Sequence, residues 1–516
     1  MLQIKHLTIT HKKDLRVILE DFSFALNKGD KAAIIGEEGN GKSTLLKWIY
    51  DSGLIEEYAE ARGEKICSQQ KLGYLPQELP EIERDRSLYE FFLQEPLFLE
   101  QTPKQLGKLA KDFHLSLEFF YGEQKMRTLS GGEKVKAQMM RLLLGEPSIL
   151  LLDEPSNDID IGTLGWLEQM IRNTEQPVLF ISHDETLIER TANVIIHIEQ
   201  IRRKTRSRYT VVHMSYDEYC RERNTQFEKQ RQLALNEQRE KRKQEQKLRK
   251  ITQKVEHDQN AVSRQDPHGG RLLKKKMKAV KSMERRYERE GADAARMPEE
   301  ETAIYFQLGE KGRKIPAGKT VLEFSLDRLY TPDNSRILAE NIFLRVRGAE
   351  KICIVGENGS GKTTLLKKIR EALAGRSDIK AIYMPQDYED LLGMKLTPVD
   401  YLDHSGDKEE RTRIRTFLGA MKYTADEMNH PIAELSGGQK AKILLLKMSL
   451  SDANVLVLDE PTRNFSPLSG PVIRKMLADY PGAIISISHD RKYIGEVCDK
   501  VYHFTNHGLV SESESI

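Results

Sequence analysis

Five short phrases occur twice in the same order, and this repetition constrains the 516-residue chain more than any other feature of it. Gly36-Glu37-Glu38-Gly39-Asn40-Gly41-Lys42-Ser43 fits G-x-x-x-x-G-K-[ST], and Gly356-Glu357-Asn358-Gly359-Ser360-Gly361-Lys362-Thr363 fits it again 320 residues later. Tyr74-Leu75-Pro76-Gln77 returns as Tyr383-Met384-Pro385-Gln386 at an offset of 309. Three further phrases return at an offset of 306. They are Leu129-Ser130-Gly131-Gly132-Glu133 with Leu435-Ser436-Gly437-Gly438-Gln439, Leu152-Asp153-Glu154-Pro155 with Leu458-Asp459-Glu460-Pro461, and Ser182-His183-Asp184 with Ser488-His489-Asp490. The later part of each unit thus keeps its register to the residue, while the helical insert ahead of the Ser-Gly-Gly phrase varies. A period this long denotes a duplicated domain, not a solenoid of short repeats.

Each phrase suits a physical task. Ala32-Ala33-Ile34-Ile35 and Ile352-Cys353-Ile354-Val355 read as buried strands, and Thr44-Leu45-Leu46 and Thr364-Leu365-Leu366 open helices. Strand, glycine loop and helix form the setting in which such a loop cradles phosphates through convergent backbone N–H groups and a helix N-terminus. Lys42 and Lys362 then reach the β- and γ-phosphates, and the hydroxyls of Ser43 and Thr363 hold Mg²⁺. The apolar runs ending at Asp153 and Asp459 read as buried parallel strands whose carboxylates face the metal. Glu154 and Glu460, one residue further, are placed to orient or deprotonate the attacking water. An apolar strand ending in Asp is common by itself; here Ser130 to Asp153 and Ser436 to Asp459 both span 23 residues, and each His follows its Asp by 30.

Charge is unevenly spread. The net charge is +2, yet residues 201–290 hold 27 Lys and Arg against 13 Asp and Glu, a net of +14, which leaves −12 for the rest. A basic middle between two acidic globular parts suggests a polyanionic partner, although a charge run by itself is more often a plain solvated linker. No run of about 18 apolar residues and no signal-peptide core occurs, so no membrane role is expected. Cys67, Cys220, Cys353 and Cys498 are far apart in sequence, which excludes a CxxC metal framework and fits a reducing cytoplasm.

The basic middle has its own pattern. Ser215-Tyr216-Asp217-Glu218 starts a helix with a capping box, and no Pro or Gly interrupts the roughly 48 residues to Ser263, a helix of about 72 Å. Phe227, Ala234, Leu248, Val255 and Val262 share one heptad position, with Lys241 the exception and Ile251 on the other seam. Gln265-Asp266-Pro267-His268-Gly269-Gly270 breaks the helix, and Leu273, Met277, Val280 and Tyr287 mark a returning one. The expectation is an antiparallel helical hairpin with a basic exterior, its nucleic-acid contacts made near the tip by Arg264, His268, Arg271, Lys274, Lys275 and Lys276.

Taken together, the phosphate loop, Gln phrase, LSGG[QE] signature, Asp-Glu pair and His resemble the ATP-binding-cassette ATPases, twice over, across about 400 of 516 residues. The resemblance implies an α/β fold: two P-loop nucleotide-binding domains, 1–214 and 301–516, joined by a helical-hairpin linker, 215–300. It also implies a monomer whose halves close head to tail over two ATPs. Ser436, Gly437 and Gly438 then complete the site of Lys42, and Ser130, Gly131 and Gly132 that of Lys362. Gln77 and Gln386 sense Mg²⁺ and the water, His183 and His489 meet the γ-phosphate, and Tyr330, seven residues before Ile337, stacks on adenine; His11 holds the matching place before Ile18.

Two cassettes joined by a long basic hairpin resemble in particular the ABC-F family of ribosome-associated ATPases. That resemblance implies ATP-dependent binding at the ribosomal E site, with the hairpin reaching P-site tRNA and 23S rRNA near the peptidyl-transferase centre. The hairpin and Asp459-Glu460-Pro461-Thr462-Arg463-Asn464-Phe465-Ser466-Pro467 are most similar to the antibiotic-resistance, ribosome-protection branch, which acts on lincosamides, pleuromutilins and streptogramin A. A housekeeping translation factor shares this frame. A tandem importer ATPase would need only a short connection, and a DNA-repair cassette protein usually carries zinc cysteines or longer coiled coils. Where the family phrase after the Glu is Pro-Thr-Asn-His-Leu-Asp, the first half has Pro155-Ser156-Asn157-Asp158-Ile159-Asp160 and the second departs through Arg463-Asn464-Phe465-Ser466. Unequal hydrolysis at two ATP-binding sites is therefore expected. The gaps of 88 and 74 residues from Lys42 to Ser130 and from Lys362 to Ser436 leave no room for a large extra arm.

Overall fold

A computed structural model of the chain describes residues 1–67, 70–201, 206–261, 274–282, 308, 315–388, 391–403 and 405–511. Met1–Tyr216 together with Glu301–Ile516 form one compact unit, and Asp217–Glu300 form a second.

In the first half, strands β1 (Leu2–His11), β2 (Val17–Leu26), β3 (Lys31–Ile35) and helix α1 (Lys42–Tyr50) lead to β4 (Ala59–Ile66) and β5 (Leu72–Leu75). After an insert of short helices come α2 (Gly131–Leu144), β6 (Ile149–Asp153), α3 (Ile161–Asn173), β7 (Val178–Ile181), α4 (Glu185–Thr191), β8 (Val194–Ile201) and β9 (Arg206–Val212). The main sheet runs β5-β6-β7-β3-β8-β9, parallel except for β9, and a second, antiparallel sheet runs β2-β1-β4. Strands β3, β6 and β7 are buried along their whole length and apolar except for Lys31 at the start of β3 and Asp153 at the end of β6, as parallel strands covered on both faces are. This burial puts the loop after β3 and Asp153 at the end of β6 on the same carboxyl edge, where open α/β sheets bind ligands. Between the two sheets lies a core of Leu2, Ile9, Phe22, Ile34, Leu45 and Ile149.

The second unit contains α5 (Tyr216–Ala261), 46 residues long, which spans about 69 Å. Asp217 and Glu218 in its first turn complement the helix dipole. Residues 274–282 are helical. Ala234 and Val280 are buried and Phe227 and Leu248 half-buried, but Ile251, expected on a second seam, is 43% exposed. The apolar stripe is thus a single position wide, and the charged residues around it stay in water. The turn, with Arg264, His268 and Arg271, lies outside the described residues; Lys274, Lys275 and Lys276 are on the 274–282 helix and exposed.

The second half repeats the plan: β10 (Thr320–Tyr330), β11 (Ile337–Arg347), β12 (Lys351–Val355), α6 (Lys362–Ala374), β13 (Ala381–Met384), α7 (Gly437–Leu450), β14 (Val455–Asp459), α8 (Gly470–Ala478), β15 (Ala483–Ile487), α9 (Arg491–Val497), β16 (Lys500–Thr505) and β17 (Gly508–Ser511). Its main sheet, β13-β14-β15-β12-β16-β17, matches the first in order and direction. Among the described residues no helix is long and apolar enough to cross a membrane.

Candidate nucleotide sites

In the first site Gly41, at φ 88°, sits in the left-handed region and turns the loop into α1. Lys42, only 5% exposed, donates from Nζ to the carbonyls of Gly36 at 2.9 Å and Glu37 at 3.0 Å. An ammonium held inside its own loop by carbonyl dipoles is poised to exchange them for phosphate oxygens. Ser43 Oγ donates to Asp153 Oδ1 at 2.9 Å, and the Tyr74 hydroxyl lies 3.3 Å from Asp153 Oδ2. A hydroxyl and a buried carboxylate this close are a donor set suited to Mg²⁺, a hard cation that takes oxygen ligands. Burial pushes the Asp153 carboxyl up to about 6, against the hydrogen bond from Ser43.

Glu154 is held on three sides. Gln77 Nε2 donates to it at 2.9 Å, Asn157 Nδ2 donates as well, and His183 Nε2 is 3.2 Å away. Burial opposes its ionisation, but the His183 ring, Lys42 and Asn157 outweigh that and bring the carboxyl down to about 2. The other His183 nitrogen, Nδ1, lies 2.8 Å from the carbonyl of Phe465 in the second half.

The second site has the same frame and different electrostatics. Lys362, 7% exposed, donates to the carbonyls of Gly356 at 2.8 Å and Glu357 at 2.7 Å. Thr363 bonds Asp459, whose Oδ2 is buried with no hydrogen-bond partner. An orphaned carboxylate oxygen beside a threonine hydroxyl again fits a divalent cation. Among the described residues the Glu460 carboxylate receives only the His489 backbone N–H at 3.3 Å, with His489 Nε2 3.8 Å off. Burial, then Asp459, push the Glu460 carboxyl up to about 8, and burial and Lys362 bring His489 down to about 4. Both glutamates adopt left-handed backbone, at φ 50° and 51°, an uncommon conformation for a residue with a side chain.

The halves meet head to tail. Gly438 N–H, at the N-terminus of α7, donates to the Glu38 carboxylate, and Lys442 pairs with Glu37 at 3.0 Å. Across the second site, Asn358 Nδ2 donates to the Asp158 carbonyl, Arg463 pairs with Asp158 at 2.9 Å, and Gln386 Nε2 lies 3.4 Å from its Oδ1. A cavity of about 640 Å³ opens there, lined by Gly131 and Lys134 of one half and Lys362, Asp459, Glu460 and His489 of the other. Between the first phosphate loop and the opposite signature helix lies a small space of about 30 Å³, lined by Glu37, Glu38, Ser436, Gly438 and Lys442.

Several expected residues take partners in the structure that the sequence did not indicate. Glu37 and Glu38 turn their carboxylates to the opposite signature helix, so only their backbone remains for a phosphate, which a carboxylate would repel. Asn40 spends its side-chain N–H on the Ile198 carbonyl at 3.1 Å. The hydroxyls of Ser130 and Ser436 accept from the N–H of Glu133 and Gln439 as helix caps. Gln386 turns to Asp158 and not to Glu460. Tyr330 pairs with Ile337 at the end of β10 and is 39% exposed; its neighbours Thr331 and Pro332 line the cavity, and Tyr330 does not. His11 is bound to Asp14 at 2.9 Å. Lys442 was missed from the sequence, and Asn157, Asp158 and Arg463 enter its reading only through the family phrase and the departure from it, without their partners. Their signal was available: Asn157 and Arg463 hold the same place three residues after the two glutamates.

The family model described as "ABC transporter" matches residues 19–157 and 339–463. The chain is 27% identical over 520 residues to the ribosome protection protein VmlR of Bacillus subtilis, covering 97% of this chain and 86% of VmlR. It is 24% identical over 532 residues to ABC transporter F family member 5 of Arabidopsis thaliana, covering 94% and 72%. Among solved structures, the archaeal ribosome recycling factor aABCE1, crystallised with the ribosomal stalk protein aP1, shares the fold with a TM-score of 0.58 at 17% identity, covering 99% of this chain and 90% of that one.

Proposed function

The chain belongs to the ABC transporter family of ATP-binding-cassette proteins and is a tandem ATPase, and from that premise we propose that it acts on the ribosome as an ABC-F factor. ATP closes the two halves, the closed chain enters the E site, and the hairpin reaches P-site tRNA and 23S rRNA. The observation that carries this reading is the long basic helix α5 with exposed Lys274, Lys275 and Lys276 on the helical segment that follows, which come in sequence between two halves that pair head to tail. Exposed lysines on a narrow helix suit phosphate backbones, an attraction without sequence preference and sensitive to salt. Similarity to a ribosome protection protein supports placing the chain in the antibiotic-resistance branch, against lincosamides, pleuromutilins and streptogramin A.

In hydrolysis, Lys42 and Lys362 would hold the phosphates, Ser43 with Asp153 and Thr363 with Asp459 would hold Mg²⁺, and Glu154 would accept the proton of the attacking water. The new bond joins water oxygen to the γ-phosphorus as the bond to the β–γ bridging oxygen breaks. Mg²⁺, when bound, supplies positive charge beside the leaving phosphate. His183 and Gln77 keep the Glu154 carboxylate aimed and ionised.

The test is sedimentation of the Glu154→Gln, Glu460→Gln double variant with purified ribosomes through sucrose, with ATP and with ADP. Co-migration with ATP alone is expected. Changing Lys274, Lys275 and Lys276 to Glu should weaken it and flatten its salt dependence by about one unit of log–log slope per lysine that meets a phosphate. Absence of co-migration with either nucleotide would sink the ribosomal reading and favour an importer ATPase. Co-migration without relief of drug-inhibited translation would favour a housekeeping factor.

A further inference from the structure

Beside the nucleotide cavity, whose lining includes Asp184, a cluster of buried and half-buried charged side chains joins the two halves. Arg474, 3% exposed, donates to Glu185, 7% exposed, at 2.6 and 3.2 Å. Arg491 pairs with Glu168 and lies 3.4 Å from Asp184. Lys492 reaches Glu185 at 3.1 Å and also pairs with Glu189. Every anion in these cross-pairs comes from the first half and every cation from the second.

The 306-residue register gives this pattern its meaning. Glu168 on α3 and Arg474 on α8 occupy equivalent positions, Glu185 and Arg491 open α4 and α9, and Arg190 and Glu496 stand five residues further on. At all three positions the charge is inverted. The pairs obey the same pseudo-two-fold relation: Arg474 meets Glu185, and Arg491 meets Glu168. Inside the first half Arg190 steadies Glu168 at 3.1 Å, and inside the second Glu496 steadies Arg474 at 2.7 Å. Room has been made as well. A Cβ on Gly470 would fall 2.0 Å from Glu185 Oε1, whereas the equivalent first-half position is Leu164.

A cassette that pairs head to tail could in principle pair with a copy of itself from another chain. Two first halves in this arrangement would bury Glu168 against Glu185 twice, and two second halves would bury Arg474 against Arg491 twice. A buried ion pair adds little net stability over an apolar contact, but a buried like-charge pair is strongly unfavourable, so such groups act chiefly on choice of partner. We propose that this inversion of charge across the repeat is a recognition code by which each half accepts the other and rejects a second copy of itself. Each nucleotide site is then always built from one half of each kind.

The test uses the full chain in three forms: all-acidic (Arg474→Glu, Arg491→Glu), all-basic (Glu168→Arg, Glu185→Arg), and all four changes together. Mass is read by light scattering with ATP present, and turnover by phosphate release. The all-acidic and all-basic chains should each lose about tenfold or more of turnover, and the four-change chain should recover most of it. An equimolar mixture of the all-acidic and all-basic chains should run at twice the chain mass, although neither does so alone. Wild-type turnover in both two-change chains, or a four-change chain no better than they are, would overturn the code. If charge reversal prevents folding, Arg474→Gln and Glu185→Gln decide the matter: the double variant should exceed both single variants in turnover, and a double variant no better than either would overturn it. The mass readout does not depend on ribosome binding, so failure here and failure of the ribosomal reading are separate results.

Discussion

Glu154→Gln lowers ATP turnover about a hundredfold or more, whereas Glu460→Gln leaves it within about twofold at neutral pH. The difference comes from what surrounds the two carboxyls. Gln77, Asn157 and His183 keep Glu154 ionised and able to accept a proton, down to a pKa of about 2. Glu460 has Arg463 where the first half has Asn157; burial and Asp459 raise it to about 8, which makes it the poorer proton acceptor of the two near pH 7. Steady-state phosphate release across pH checks this: wild type should gain an increment as pH rises through about 8, and Glu460→Gln should lack it. Equal losses from the two single variants would contradict the assignment. The same shifts act on stability with opposite signs. Glu154, depressed from 4.5, favours the fold above that pH, and the contribution is lost as pH falls toward about 2. Glu460, raised from 4.5, favours the fold in acid, and the contribution is lost as pH rises from there through about 8.

Gly131→Ala should weaken nucleotide binding at the site of Lys362 by about 10- to 100-fold, corresponding to the roughly 1–3 kcal/mol that overpacking costs. The added Cβ would sit 1.8 Å from the Asp158 carbonyl oxygen, a backbone atom that cannot swing aside. That carbonyl accepts from Asn358 in the opposite phosphate loop, and Asp158 also holds Arg463 and Gln386. A methyl group in one half therefore disturbs the loop of the other. Gly437→Ala, the equivalent change, meets the Glu38 carboxylate at 3.1 Å and the Asn464 side chain at 3.5 Å, and side chains can move where a backbone carbonyl cannot. Equilibrium binding with a fluorescent ATP analogue should show two sites per chain in Gly437→Ala and a weakened second site in Gly131→Ala. Equal behaviour of the two variants would count against the head-to-tail geometry.

Much of this protein is legible before any folding is considered. Strand, glycine loop and helix are local, so Ile34, Gly41 and Lys42 announce their arrangement along the chain, as do Ile354, Gly361 and Lys362. The constant 306-residue register predicts two copies of one sheet, and the uninterrupted stretch after Ser215 predicts one long helix. Less legible were the uses of individual side chains: Asn40 reads as a phosphate ligand but bonds strand β8, and Tyr330 reads as an adenine platform but stands outside the cavity lining.

The sequence alone determined the duplication, the order of the motifs and the strand and helix periods, because each depends on neighbours along the chain. Only the tertiary structure decided that the surroundings of Glu154 favour its ionised form and those of Glu460 oppose it, that Glu38 faces Gly438, and that Glu185 meets Arg474. Those outcomes depend on desolvation and on pairing between residues hundreds of positions apart, and neither is set until the two halves pack.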